Sequence, residues 1–522
     1  MNWPASLLRG LARCRWAVVL AGWSALTWLP PAFSQVPTAT RLRPQILEPL
    51  PGGLDATPVL NDNNPELIVA PGILLSTFQG GSRLGGIPLA GEGVHLDAPQ
   101  SGTFELFSHH VYAGRPETLA STLWLAVVAA PRGTQPVELQ LLAGSTALSQ
   151  SVDGKDPQAP FLPLPPVMPQ GLTPVWSGPG SRVATELLLR QPKSQGTWPD
   201  KWTLSPATLT PLMVLPLPVR GLDPLLNGRN LQLRLRSDGP VDVAILAAFG
   251  PQATPPPAAL WGQVLAGGLS PKEHAPTPRG ATGRMVYSRV SGVQRGATWT
   301  GRLTDPGQPT LSASRAPISW PISALERGSL GTGQVQTAEL SAFYPGTAWA
   351  AHGNYGVTYA LTLPLRNDTS RPLRLGLAIE SPLKGDVPQG GLRFRGLPAS
   401  AQASNGNGTP NFNGPVMFRG TVEVSGLDGF QGRPAGRQAF HLVQRAGQEG
   451  PPIGTITLAP GAIRQVQVRL IYPADATPPQ VLSLLPLGDT PSQGELGTPR
   501  AAGTGGPGAV KQSPAGPVSP NP

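Results

Sequence analysis

Proline and glycine punctuate this chain so densely that no long helix fits anywhere in it. The 64 glycines and 65 prolines make up roughly a quarter of the 522 residues, and one proline in a helix interior costs about 3 kcal/mol. Such a content accompanies disorder when apolar residues are scarce. Here they are 39% of the chain. The compatible architecture is mainly β, with many short strands joined by Gly/Pro turns.

Alternation supports that architecture. Tyr359, Leu361, Leu363 and Leu365 share one face of a strand, and Leu373, Leu375, Leu377 and Ile379 follow after a polar turn. Val466, Val468 and Leu470 alternate with Gln467 and Arg469. Period two is the signature of a half-buried strand. The arrangement of Tyr359–Ser381 echoes Thr122–Gly144, and a second echo joins "TLSPATLTPLMVLPLPV" to "TLAPGAIRQVQVRLIYP". Both echoes predict two antiparallel β-sandwich-like modules built from hairpins, with one short helix between them. The plan resembles immunoglobulin-like sandwiches in architecture only, because their characteristic Cys and Trp are missing.

Two local elements stand out. "NLQLRLRSDGPVDVAILAAF" predicts a hairpin turning at Asp238-Gly239. "PPPAALWGQVLAGGLSP" predicts the helix, stopped by Gly267-Gly268. The resulting division is a signal at 1–34, an extended Pro-rich segment at 35–95 and a first module at 96–250. A connecting segment with the helix and a β-hairpin follows at 251–340, then a second module at 341–485 and a disordered tail at 486–522.

The N-terminus reads as an export signal. Arg9, Arg13 and Arg15 precede the apolar run Trp16–Leu29, and Ala32 and Ser34 occupy small-residue cleavage positions. The run falls short of the roughly 20 residues of a comfortable span, with an uncleaved anchor as the alternative. Cleavage after Ser34 delivers a soluble chain to the periplasm or cell surface. The only cysteine, Cys14, leaves with the signal, so no disulfide, thiol nucleophile or thiolate ligand remains. The formal charge of +10 becomes +7 without the three signal arginines. A mild basic bias suits anionic envelope polymers or simple solubility. No Lys/Arg block with interleaved aromatics is present, so nucleic acid is not an expected partner.

A string of signatures, including "GILLSTF", "FSHH", "GPGSRV", "LPVRGLDPLLNGR", "RGSLGTGQVQTA", "AHGNYGVTY" and "YPADATPPQVL", resembles an uncharacterised exported cyanobacterial family. That family is catalogued as domain of unknown function 3370. The resemblance runs from about Arg41 to about Leu487. It implies an exported protein with one contiguous family region, and it brings no activity and no functional residues. A Gly/Asn-rich insertion, "ASAQASNGNGTPNFNGP", departs from the family pattern.

Catalytic signatures are sparse. His95, His109, His110, His274, His352 and His441 include no H-x-x-x-H spacing, although "HLD" would place His95 and Asp97 on one strand face. Ser181 lacks a nucleophile elbow and reads instead as the N-cap of a short helix. "GSLGTGQVQTAEL" lacks the Lys-Ser/Thr ending of a phosphate loop. Scattered carboxylates select no glycosidase pair. Trp176, Trp198, Trp202, Trp299, Trp320 and Trp349 offer either core packing or a sugar-stacking platform. The candidate binding residues are His352, Asn354 and Tyr355 in "AHGNYG", with His109 and His110 in "FSHH". The first reading of "AHGNYG" is a turn that sets the register of the following core strand, with glycine at 353 and 356 permitting positive φ, and binding is its alternative.

These readings converge on a non-catalytic protein binding or organising an envelope component, with no cofactor and no metal. The expected partner is an envelope polysaccharide or an envelope protein. A carbohydrate-active hydrolase with a carboxylate pair on loops is the alternative. A structural subunit packed through edge strands is the second.

Overall fold

The computed structural model describes residues 40–488 apart from 116–118, 151–166, 169–177, 191–197, 284, 397–414 and 431–432. The expected signal, the Gly/Asn-rich insertion and nearly all of the expected tail lie outside the described residues.

The fold is mainly β and forms two sandwiches. In the first, one sheet runs in the order Lys201–Leu204, Val137–Leu148, Leu226–Gly250, Gln100–Ala113, Pro58–Leu67, Val290–Arg295 and Leu340–Phe343. Thr210–Leu217, Thr122–Pro131 and Gly72–Ser76 form the facing layer with the far half of Leu226–Gly250. Leu106, Leu139 and Leu233 from one layer meet Leu125, Val243 and Ile245 from the other in a shared core.

In the second sandwich, Gln438–Arg445, Val416–Ser425, Ile463–Ile471, Thr358–Arg366 and Thr298–Arg302 face Ile318–Ile322, Gln480–Pro486, Leu373–Glu380 and Gly454–Leu458. Leu361, Leu363, Val466 and Val468 pack against Leu375, Leu377, Leu482 and Leu484.

The predicted hairpin at Asp238-Gly239 is a single strand of 25 residues, Leu226–Gly250. Its first half pairs with Gln100–Ala113 and Val137–Leu148, its second with Thr122–Pro131 and Gly72–Ser76. The register slips between Ser237 and Val241. There the Asp238 carboxylate accepts the Glu138 amide at 2.8 Å, and Pro240 has no amide to give. A bulge bends the strand from one layer into the other. The predicted inward faces hold, since Leu231, Leu233, Leu235, Val241, Val243 and Ile245 all lie in the core.

The echoed hairpins are also corrected. Thr122–Pro131 and Val137–Leu148 lie in facing layers of one folded-over sheet, and Thr358–Arg366 and Leu373–Glu380 in two facing sheets. Each pair is an arch over the core. The second echo supplies another arch to each: Lys201–Leu204 pairs with Val137–Leu148 and Thr210–Leu217 with Thr122–Pro131. Gly454–Leu458 and Ile463–Ile471 pair in the same manner with Leu373–Glu380 and Thr358–Arg366. The echo is therefore a repeated double arch.

The hairpin placed in 251–340 is a crossover as well. Val290–Arg295 pairs in the first sandwich and Thr298–Arg302 in the second, with Gly296 at φ 115 between them. The segment 40–76 crosses alongside. Thr40–Pro44 pairs with Gly391–Arg395, whereas Pro58–Leu67 joins the first sandwich. The two crossings are tied together where the Asp55 carboxylate accepts the Ala297 amide at 2.8 Å.

Helix α1, Pro179–Leu188, packs between the sandwiches. Ser181 is inside this helix rather than at its N-cap. Pro179 needs no partner for a missing N–H, and the free amides of Gly180 and Ser181 donate to the Asp475 carboxylate at 3.2 and 2.7 Å. A remote anion on the positive helix end does the capping. Helix α2, Ala258–Leu265, forms where predicted and covers the outer face of Thr122–Pro131 through Trp261 and Leu265. Among the described residues, no helix is long and apolar enough to cross a membrane.

Candidate functional site

The loop Ala348–Val357 is a further crossover, leaving Leu340–Phe343 in the first sandwich and entering Thr358–Arg366 in the second. Gly356 has φ 78, a conformation that favours glycine, and a Cβ there would meet the Phe107 ring at 2.7 Å. Its amide donates to Tyr472 O and its carbonyl accepts Gln232 Nε2, both at 2.8 Å. One glycine therefore joins both sandwiches.

The loop separates its three candidate residues. Asn354 is buried, and its Nδ2 donates to Tyr359 Oη at 2.8 Å and Gln336 O at 3.0 Å. Tyr355 packs between the sandwiches beside Phe107, Val59 and Ala474. His352 points elsewhere, into a surface groove, where its ring meets Tyr287 edge to face at 4.6 Å. Burial lowers the His352 pKa to about 4, so it presents a neutral ring at pH 7.

His109 and His110 point to opposite faces of Gln100–Ala113. His110 is fully buried on the core side, and its Nε2 lies 2.7 Å from Asp62 Oδ2. His109 faces the second sandwich with Nδ1 3.3 Å from Asn230 Oδ1, and burial followed by the adjacent His110 lowers its pKa to about 4. The strand meets the Ala348–Val357 loop through Phe107. "HLD" does not converge: His95 Nδ1 lies 2.7 Å from Ser76 Oγ, whereas Asp97 accepts Arg132 at 2.6 Å. Among the described residues no group of three His, Cys, Asp or Glu side chains is placed to hold a metal.

The groove takes in His352 and Trp349 from the loop, Pro276 and Tyr287 from 276–287, and Leu325 and Val335 from 325–335. It encloses about 580 Å³, open solvent included. Tyr287 and Val335 are 42% and 49% exposed, so the lining is an accessible apolar surface rather than core. Arg279 stacks over Trp349 at 4.6 Å and pairs with Glu339 at 2.6 Å. Arg327 donates to the carbonyls of Ala281 and Gly283, holding two walls together. Glu326 is the one carboxylate among the described lining residues.

Residues 45–486 match the model of a family described as a protein of unknown function, DUF3370. The chain belongs to this family. The match spans both sandwiches, both helices and the groove. No curated protein matches the chain.

Sequence reasoning singled out His352 and included Trp349 among six tryptophans. Trp299 and Trp320 are buried in the second core, Trp198 and Trp202 pack against the first, and Trp176 lies outside the described residues. Tyr287, Val335 and Arg279 were missed. The available signal was the apolar "MVY" in a stretch with no alternation to bury it.

Proposed function

We propose that this chain is an exported, non-catalytic protein of the cell envelope that binds glycan through the groove of Tyr287, Trp349 and His352. The observation behind this reading is the solvent-open set of aromatic rings, neutral at pH 7, with polar groups at its rim. Ligand sites pair apolar and aromatic walls with a few polar groups, and exposed ring faces suit the apolar faces of sugars. The single carboxylate among the described lining residues supports binding over glycoside hydrolysis, which uses two. The N-terminal signal supports export to the envelope, where such polymers lie.

Titration of the full chain against an oligosaccharide array, followed by calorimetry on the hits, tests the reading. Tyr287→Ala and Trp349→Ala should each weaken binding at least about tenfold, a loss of about 1.4 kcal/mol, while melting stays near wild type. Unchanged affinity in both variants would remove the groove from the function.

A further inference from the structure

The loop Leu325–Val335 lines two recesses. Leu325, Glu326 and Val335 face the groove. Leu330 lines a second recess of about 610 Å³, open solvent included, with Leu383, Val387, Leu392, Lys384 and Arg393. The loop between them is firmly held. The amides of Gly328 and Ser329 donate to Asp386 Oδ1 at 2.6 and 2.9 Å. Gly331, at φ 88, lies so close to Pro388 that a Cβ would approach its Cα to 2.7 Å.

The second recess has two cations and no carboxylate among its described lining residues. Asp386, the nearest acid along the chain, is engaged by the loop amides. Arg393 donates to Thr40 Oγ1 at 3.2 Å, and no carboxylate pairs with Lys384 among the described residues. Lys384 is an exposed residue, and partial desolvation at the recess lowers its pKa. A partly desolvated cation without a counter-ion is unfavourable until an anion arrives. Beside the two cations the recess offers apolar contact from Val387, 70% exposed, and the half-buried Leu383, over the buried Leu330 and Leu392.

We propose that this second recess takes the sulfate or carboxylate group of the glycan whose ring occupies the groove, so that the ligand is an acidic polysaccharide. The inference rests on the glycan reading of the groove. Arginine and lysine would hold the acid group in different ways. The guanidinium forks onto two oxygens, and the ammonium acts as a mobile point charge.

Calorimetry on the full chain with dextran sulfate, polygalacturonate, inorganic sulfate and anionic phospholipid vesicles tests the proposal. Wild type should bind dextran sulfate, polygalacturonate or both, less tightly as salt rises; the polymer bound identifies the acid group. Lys384→Gln/Arg393→Gln should lose about tenfold or more of that affinity, with circular dichroism and melting unchanged. Lys384→Arg/Arg393→Lys should retain most of it. Tyr287→Ala should also weaken the acidic polymer, because one chain occupies both recesses.

Failure to bind either polymer overturns the proposal. So does a charge-removed variant that binds as wild type does, and if Tyr287→Ala still weakens binding, the groove reading survives. Loss in the charge-removed variant alone refutes the shared chain and the groove reading together. Inorganic sulfate binding as tightly as the polymer, or vesicle capture that depends on Lys384 and Arg393, also overturns it by assigning the cations to a free ion or a membrane.

Discussion

The two double arches share a topology but not a surface. Every residue of Thr122–Pro131 in the first is buried. Leu123, Leu125, Val127 and Ala129 face the core, whereas Trp124, Ala126, Val128 and Ala130 face a second apolar layer under helix α2. In the second, the corresponding strand Thr358–Arg366 buries Tyr359, Leu361, Leu363 and Leu365 but leaves Ala360 and Thr362 only half-buried, and its neighbour Ile463–Ile471 buries Val466, Val468 and Leu470 and leaves Gln465 and Gln467 exposed. The same arch can therefore serve as a central layer or as an outer wall. The choice is written in the sequence, since a continuous apolar run covers both faces and strict alternation covers one.

The largest expected effect strikes at that difference. Ala126→Arg places a cation in the buried layer beneath α2 and should cost at least about 4 kcal/mol, enough to prevent folding. Gln467→Arg, on the open face of the second arch, should stay within about 0.5 kcal/mol. Urea unfolding compares them, and a stable Ala126→Arg protein would show that the second apolar layer does not seal.

On their core faces the arches should behave alike. Leu139→Ala and Leu375→Ala each empty a fully packed site and should each cost about 2–5 kcal/mol. Val468→Ala should cost somewhat less. If one leucine proves nearly neutral by the same unfolding assay, the two arches are not energetically equivalent.

Gly356→Val tests how the sandwiches are coupled. Positive φ and the Phe107 contact should together cost about 2 kcal/mol or more. Scanning calorimetry should resolve the strain as a lower or split transition, since Gly356 hydrogen-bonds to both sandwiches. An unaltered single transition would assign the coupling to the crossings at Asp55 and Gly296.

Acid should weaken both sandwiches. Burial lowers the pKa of His95 and His109 in the first, and of His352 and His441 on the second side, to about 4. The unfolded chain titrates near 6.5. Between those values it binds more protons than the folded chain, so stability is full above pH 6.5 and declines as pH falls toward 4. Unfolding free energy should drop from pH 7 to pH 5 by on the order of 1–2 kcal/mol for each of these imidazoles. A flat profile over that interval would contradict the buried neutral imidazoles.

The smallest effects belong to the outer face of the second sandwich. Arg374→Ala and Gln467→Ala should each cost under about 1 kcal/mol. Chemical denaturation giving a larger loss for Gln467→Ala would mean that this face is covered rather than open.

Local pattern alone determined which residues are buried. Leu231, Leu233 and Leu235, then Val241, Val243 and Ile245, take the inward positions that alternation assigned to them, and Gly267-Gly268 stops the helix it predicted. The echoes mark a genuine structural repeat. Partnership was not legible. A Gly/Pro turn between two alternating strands looks the same whether the chain returns within one sheet or arches across the core, because ladder hydrogen bonds are made between residues far apart in sequence. The groove escaped for the same reason. His352 was visible in its loop, but Tyr287 and Val335 become its neighbours only when 276–287 and 325–335 close around it, held there by Arg327 and the carbonyls of Ala281 and Gly283. Sequence chose the buried faces, through the hydrophobic effect acting residue by residue; tertiary structure chose the pairings and the groove, through contacts no local pattern encodes.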